Sequence, residues 1–536
     1  MSPSDSEATV PITPPAAPPG AVPGWKGLLE CRDLFESQRV HRLLEDRTMG
    51  QARAMSSAHP PRESLARQLA RLPRPFWMVN IMEMFERLAY YGVRVVIPIY
   101  IAQADEPAGL HFTQSEKGLI FMLWALVQTG VPVFSGGFAD RYGYKRTIAV
   151  SIGIKMAGYL MMATQRSFWP FTLGCLVLAF GTAIFKPGVQ GTMVRTLNKQ
   201  NSGIGWGTFY MLVNVGAFLG PPLAHYLYGF SWPTVFYGCA VIVSLNFFML
   251  LTYPAVPSGG DLSGGAFKVA KTTFRNLVKP RLGVFILIMS GFWLMFMQLF
   301  DMLPNFIVDW VDSSQMVKVF HLPSAFTTET PRGTMITQEW LINADAGLII
   351  LTVVWVSWLV KRMRRVHSIL LGITIASLGL VAAGFTMSGW FCLLGILIFS
   401  VGEMLASPKM SEYLGVIAPE GQKALYMGYA NMPTAIGWAY GSFLGGQIYD
   451  VKGDKANLAL RYLADHHGIT SGVTREQAMV KLQEVLGTDA VHATNLLWST
   501  YDPYKLWYPF ATVGIASAVG ILFYARWVRK HEASDI

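Results

Sequence analysis

The sequence predicts an all-α membrane protein: twelve transmembrane helices in two six-helix bundles, with both termini cytoplasmic. Three observations carry this expectation. First, apolar runs of bilayer-spanning length recur along the 536-residue chain, which is 52% hydrophobic and only 14% charged, where an average soluble protein is roughly 25% charged; the mean hydropathy is +0.36. Second, basic residues gather in the loops after every second run, the positive-inside pattern. Third, a basic, glycine-containing segment at 254–282 divides the runs six and six, as expected of two bundles that rock about a central site. A large soluble protein with an apolar core would not repeat runs of this length.

Composition also excludes several functions. The net charge of +10 would suggest nucleic acid if the basic residues clustered on a soluble surface, but they lie in loops between spans, so the lipid bilayer is the expected partner and nucleic acid is not. Of the four cysteines, Cys175, Cys239 and Cys392 fall inside candidate spans and Cys31 in the leader. This spacing gives neither a disulfide framework nor a metal site. No nucleophile–base arrangement, metal cluster or phosphate loop is present, so no enzymatic activity, metal or cofactor is expected.

Along the chain, residues 1–75 read as a cytoplasmic leader. Its first 24 residues are rich in Pro, Ala and Ser, a composition that favours disorder. Residues 28–44 suit a short amphipathic surface helix. Arg62, Arg67, Arg71 and Arg74 precede the first span and place the N-terminus in the cytoplasm. The twelve spans fall at about 76–102, 114–138, 146–164, 170–196, 206–230, 232–253, 283–308, 340–360, 367–387, 390–414, 425–449 and 507–528. The first bundle is therefore 76–253, the linker 254–282 and the second bundle 283–530. Outer loop 450–506 is too polar to span and reads as partly helical at about 455–466 and 474–486; a smaller outer loop occupies 309–338.

The first span holds the most informative residues. Glu83, Glu86, Arg87, Tyr90 and Arg94 lie within roughly 100° of one another on a helix. Each ionised side chain costs about 2.5–3.5 kcal/mol at the centre of a lipid-facing helix. Four of them require a protein interior or a water-filled cavity. In span 4, Lys186 stands just before Pro187, where the proline kinks the helix and frees a carbonyl. A snorkelling lysine is the competing reading, and the apolar residues on both sides oppose it. Glu403 lies in the other bundle. Arg94 and Lys186 would attract a carboxylate and Glu403 an ammonium, with Asn214 hydrogen-bonding a solute backbone and Tyr90 and Tyr91 lending polar tips.

These stretches carry a resemblance. Gly136-Gly137-Phe138-Ala139-Asp140-Arg141-Tyr142-Gly143-Tyr144-Lys145-Arg146 resembles the loop signature between spans 2 and 3 of the major facilitator superfamily, with Asp140 and Arg141 as gating residues; a basic stop-transfer turn is the plainer alternative. Glu83-x-x-Glu86-Arg87-x-x-Tyr90-Tyr91-Gly92 resembles the first-span ExxER motif of proton-dependent oligopeptide transporters, and the match extends to Arg94. Gly181 to Pro187, Phe209 to Gly216 and Gly402 to Pro408 resemble that family's motifs in spans 4, 5 and 10, and Asn343 in span 8 is a weaker match. The resemblance covers about residues 76–528. It implies a proton-coupled symporter that imports di- and tripeptides by alternating access across the plasma (inner) membrane and works as a monomer. Glu83, Glu86 and Arg87 would couple protons. Arg94, Lys186, Asn214, Glu403, Tyr90, Tyr91 and Asn343 would bind the solute.

The chain departs from that pattern twice. In span 7, Met297 precedes Gln298 where the family places a glutamate, and Asp301 follows one turn later. Asp301 is read either as a substitute gating carboxylate or as an outer helix-end residue. In span 11, Met427-Gly428 is followed by Tyr429-Ala430-Asn431 instead of the family's Trp-Phe pair. Two alternatives therefore stand: a carrier of the same fold for another small amphoteric or anionic solute with altered or absent proton coupling, and a non-transporting membrane sensor that uses the leader.

Overall fold

The computed structural model describes residues 69–536 apart from 199–200, 258–274, 277, 361–362, 419–428 and 532–536, together with side chains other than those at 133–138, 140, 203, 354, 357–358, 415 and 531. The expected helix at 28–44, most of the 254–282 linker and Met427-Gly428 lie outside the described residues.

The first six long helices are α1 Arg74–Ala102, α2 Gln114–Tyr142, α3 Tyr144–Thr164, α4 Phe168–Thr196, α5 Ser202–Tyr228 and α6 Trp232–Leu251. The seventh span is broken into α7 Pro280–Phe296, α8 Gln298–Asp301 and α9 Leu303–Trp310. After the short α10 Ser314–Phe320 come strands β1 Thr327–Thr330 and β2 Gly333–Ile336, then α11 Gln338–Val360, α12 Arg365–Gly384, α13 Gly389–Ile417 and α14 Asn431–Lys452. Three shorter helices, α15 Lys455–His467, α16 Ala478–Leu486 and α17 Ala490–Tyr501, lead to α18 Trp507–His531.

Local chemistry sets these boundaries. Proline lies in the first turn of α1, where its missing N–H costs nothing. A capping box starts α2: Thr113 Oγ1 accepts from Glu116 N (3.1 Å) and Glu116 Oε2 from Thr113 N (2.8 Å). The Gly136–Arg146 segment is not the loop the sequence suggested. α2 runs through Gly136 and Gly137 to Tyr142, and the turn is Gly143 alone, at φ +91°, a conformation glycine adopts without strain. The all-α expectation also needs correction, because β1 and β2 pair antiparallel, with Thr327 opposite Ile336.

Among the described residues, seven helices are long and apolar enough to cross a membrane by length and composition: α3, α4, α6, α7 with α8, α12, α13 and α18 with the turn before it. α1 is not among them, because its charges lower its hydropathy.

α1 to α6 pack on one another, and α7, α11 to α14 and α18 form a second set. The two sets meet where α2 packs on α14, α5 on α11 and α1 on α9. The α2–α14 contact is backbone to backbone. A Cβ on Gly118 would lie 2.6 Å from Ser442 O and 2.9 Å from Gly446 Cα, too close for any larger residue without separating the helices. The segments 103–113, 311–337 and 453–506 join helices at the same end of the molecule, called the loop-rich end below.

Candidate functional site

Between the two sets lies a cavity of about 380 Å³. Arg87, Tyr90, Tyr91 and Arg94 of α1 line it, with Gln128, Lys186 and Asn214; the facing wall carries Met297, Asn343, Asp345, Glu403 and Trp438. The structure thus gathers all seven residues expected to bind solute around one space. Lys186 is exposed to it, and Asn343 is buried on its far side. Asn214 Nδ2 donates to Tyr210 O (2.8 Å) and Asn343 Nδ2 to Phe218 O (2.8 Å), the latter across the two helix sets. Glu403 Oε2 is buried with no hydrogen-bond partner among the described residues. A buried carboxylate oxygen in that position is available to a donor brought by a solute.

The first-span cluster divides in two. Arg87 reaches the cavity, while Glu83 and Glu86 sit behind it, 2% and 1% exposed. Arg87 Nε is 3.3 Å from Glu83 Oε1, and its Nη2 pairs with Glu86 Oε2. The remaining partner is Lys155 of α3, fully buried, whose Nζ lies 3.0 Å from Glu86 Oε1 and 3.6 Å from the centre of the Phe185 ring. Two carboxylates and two cations therefore form a closed, formally neutral set. Lys155 is not among the site residues expected from the sequence. The available signal was a lone lysine well inside an apolar span, but its partner is 69 positions away. Gln128 was also missed; it accepts from Trp124 Nε1 (2.7 Å) and donates to Tyr90 Oη (3.0 Å).

Asp301 ends α8 but does not face outward. It is buried beside the break after α7, where it pairs with Arg94 Nη2 across the two helix sets and accepts from Ser442 Oγ (2.5 Å). Arg94 also donates to Phe300 O (3.3 Å) and lies over Phe121 at 4.4 Å. Arg94, expected to take a solute carboxylate, is therefore already paired in this conformation. Met297 fills the cavity wall and stands between α7 and α8. Arg141 is exposed, and the side chain of Asp140 lies outside the described residues.

Above this level, toward the loop-rich end, polar bonds close the two sets on each other. Lys117 Nζ donates to Asn305 Oδ1 (2.7 Å), Gln103 Nε2 to Asp309 Oδ1 (2.8 Å) and Gln338 Nε2 to Val95 O (3.1 Å). Glu339 accepts from Tyr228 Oη (2.5 Å), and His225 Nδ1 is 3.0 Å from the same oxygen.

A second cavity of about 410 Å³ lies here, lined by Glu106, Trp232, Arg332 and Glu339 among others. Burial pushes the Glu106 carboxyl up to about 7; the Trp232 Nε1 donor (2.9 Å) opposes the rise, and the nearby Asp105 and Glu339 charges add to it. A carboxyl raised in the folded state binds its proton more tightly there than in the unfolded chain. Its contribution to stability is then fully present at acid pH and lost as pH rises toward 7. We expect the melting temperature of purified protein to fall between roughly pH 5 and pH 7, and Glu106→Gln to flatten that part of the profile. An unchanged slope in the variant would remove Glu106 as a cause.

A family model for the Major Facilitator Superfamily matches residues 79–442. The multidrug resistance protein MdtH of Klebsiella pneumoniae (strain 342) is 25% identical over 366 residues, covering 68% of this chain and 84% of the relative. MdtH of Yersinia enterocolitica is 24% identical over 368 residues, again 68% and 84%. Among solved structures, a POT family transporter in complex with 5-aminolevulinic acid superposes with a TM-score of 0.60 at 15% identity, covering 85% of this chain and 97% of that one. A bacterial homologue of the human drug peptide transporters gives 0.59 at 18%, with coverage of 85% and 99%. The nucleoside transporter NupG gives 0.62 at 13%, with 84% and 99%. At these identities the structural likeness speaks for the fold alone. The family match spans most of the chain and encloses the cavity and its charged walls, and on that ground the chain belongs to the Major Facilitator Superfamily as a multi-pass integral membrane transporter.

Proposed function

We propose that the chain is a proton-coupled symporter that imports di- and tripeptides by alternating access. On this reading all twelve long helical rods cross the plasma (inner) membrane, with both termini cytoplasmic and the loop-rich end outside. The observation that carries it is the polarity of the central cavity: Arg87 and Lys186 stand on one helix set, Glu403 and Asp345 on the other. A molecule with a carboxylate at one end and an ammonium at the other satisfies both walls at once. It thereby favours the conformation in which they are close, and only such differential binding shifts a conformational equilibrium. Protons enter through the set behind Arg87. Protonating a carboxylate there frees Arg87 from one of its two partners and lets it turn to the solute.

Reconstituted protein in proteoliposomes should take up dipeptide faster when an inward proton gradient is imposed. No stimulation by the gradient would sink the coupling. Glu403→Gln should raise KM by roughly 10- to 100-fold for peptides with a free amino terminus, the worth of a hydrogen bond to a charged group. It should leave N-acetylated peptides unaffected. Equal losses for both would take Glu403 away from the ammonium.

A second reading, a carrier for another small amphoteric solute, has specific support. Met297 stands where the resemblance expects a carboxylate, and one structural neighbour is held in complex with 5-aminolevulinic acid. The sequence relatives are named for multidrug resistance. A thermal-shift panel of peptides, amino-acid derivatives, small carboxylates and cationic drugs separates these readings, since the true solute stabilises the folded carrier in proportion to its occupancy.

A further inference from the structure

Residues 453–506 are the longest segment at the loop-rich end, and none of them lines the central cavity. Yet they are built as a compact unit. Asp454 caps α15 by accepting from Asn457 N (2.9 Å), and Asp489 caps α17 by accepting from His492 N (2.8 Å). Gly468 and Gly487 end α15 and α16 in the left-handed region, at φ +67° and +61°. Leu458, Leu463, Leu482 and Leu497 bury their side chains between the three helices. Both ends of this unit are tied to the second helix set, at α14 and α18.

One side chain of the unit grips the other set. Arg475, in the turn before α16, donates from Nη2 to Ala102 O (3.2 Å), the last residue of α1. Its Nη1 donates to Phe112 O (3.1 Å) and His111 O (3.5 Å), just before α2. Arg475 Nη2 is also 2.7 Å from Asp454 Oδ2, and Gln114 Nε2 of α2 donates to that same oxygen (3.1 Å). A guanidinium fork suits this task because it serves several fixed acceptors at once, and a cation at the carbonyl end of α1 complements the helix dipole. Asp454 is buried and Arg475 largely so, which shields the bonds from water.

We propose that residues 453–506 latch the loop-rich end shut, with Arg475 as the positioning residue that sets how readily this end opens. Its bonds to Ala102, His111 and Phe112 join elements of opposite helix sets, so they exist only while this end is closed. Removing them weakens the closed state and leaves the open one untouched. The inference rests on the alternating-access reading above, and its test fails separately from it.

The test is accessibility of a single cysteine in the central cavity. Ala217→Cys, on the cavity wall, is reacted with a membrane-impermeant maleimide applied to either face of the vesicles. The reaction of the unmodified chain gives the background from the native cysteines. Adding Arg475→Ala should raise the labelling rate from the loop-rich face by roughly tenfold, the loss of one charged hydrogen bond, and lower it from the opposite face. Arg475→Lys, which keeps the charge near Asp454 but loses the fork, should fall between. Unchanged rates from both faces would overturn the latch, and so would a rise from both, which marks general loosening. Dipeptide uptake by the Ala217→Cys parent is measured in the same vesicles. A failed latch beside intact uptake leaves the transport reading standing, and absent uptake beside opposite changes at the two faces leaves the latch standing.

Discussion

Glu83→Gln should reduce gradient-driven uptake in proteoliposomes to background while sparing counterflow, in which no net proton moves. The reason lies in how the four charges behind the cavity share their partners. Among the described residues Glu86 forms ion pairs with two cations, Arg87 and Lys155 (3.0 Å), whereas Glu83 forms one, with Arg87 at 3.3 Å. On the proposed coupling, the glutamate with the single ion-pair partner, Glu83, is the one expected to take the proton. Glutamine has nearly the shape of a protonated glutamate but cannot release the proton, which fixes the carrier in the loaded protonation state. Glu86→Gln should behave differently. It takes from Lys155 its ion-pair partner among the described residues, whereas Glu83→Gln leaves both cations paired with Glu86, and an uncompensated buried charge costs about 3–5 kcal/mol. We therefore expect a marked drop in melting temperature for Glu86→Gln and little for Glu83→Gln. Full gradient-driven uptake by Glu83→Gln would remove that residue from coupling.

Asp301→Asn should lower both thermal stability and uptake. Arg94 and Asp301 pair across the two helix sets with almost no exposure, and removing the carboxylate strands a guanidinium over Phe121 and Trp438. The penalty is about 3–5 kcal/mol for breaking one side of a buried pair. The double variant Arg94→Gln with Asp301→Asn removes both charges, so it should recover melting temperature while uptake stays low. A double variant no more stable than Asp301→Asn alone would show that the two charges are not coupled in the folded carrier.

What the sequence revealed, and what it withheld, follows from distance along the chain. The charged face of α1 was legible because four ionisable groups in one apolar run have no lipid-compatible explanation; its neighbours in sequence suffice for the argument. Lys186 and Glu403 were legible for the same reason, and the structure sets both on one cavity. The role of Asp301 stayed open because its partner is 207 positions away. Lys155 was passed over because nothing near it in sequence carries the opposite charge. The Gly136–Arg146 stretch was read as a loop from its glycines, but glycine inside a long, otherwise apolar helix costs only about 1 kcal/mol, and α2 continues through it. α17 was not anticipated, since its inward face rests on small residues such as Ala493 that give little periodic contrast. The β1–β2 hairpin was too short to register.

The bare contact between Gly118 and Gly446 bears on how quickly the carrier can cycle. Interlocked side chains must change rotamer before two helices separate, and packed interfaces of that kind have discrete arrangements with a barrier between them. Where α2 meets α14, backbone rests on backbone, and small residues let helices approach closely without knobs to disengage. On the alternating-access reading, the barrier at this crossing is expected to come from the polar bonds above it more than from unpacking. Bulk added at Gly118 would act on turnover as a wedge, without touching any group that binds solute or proton.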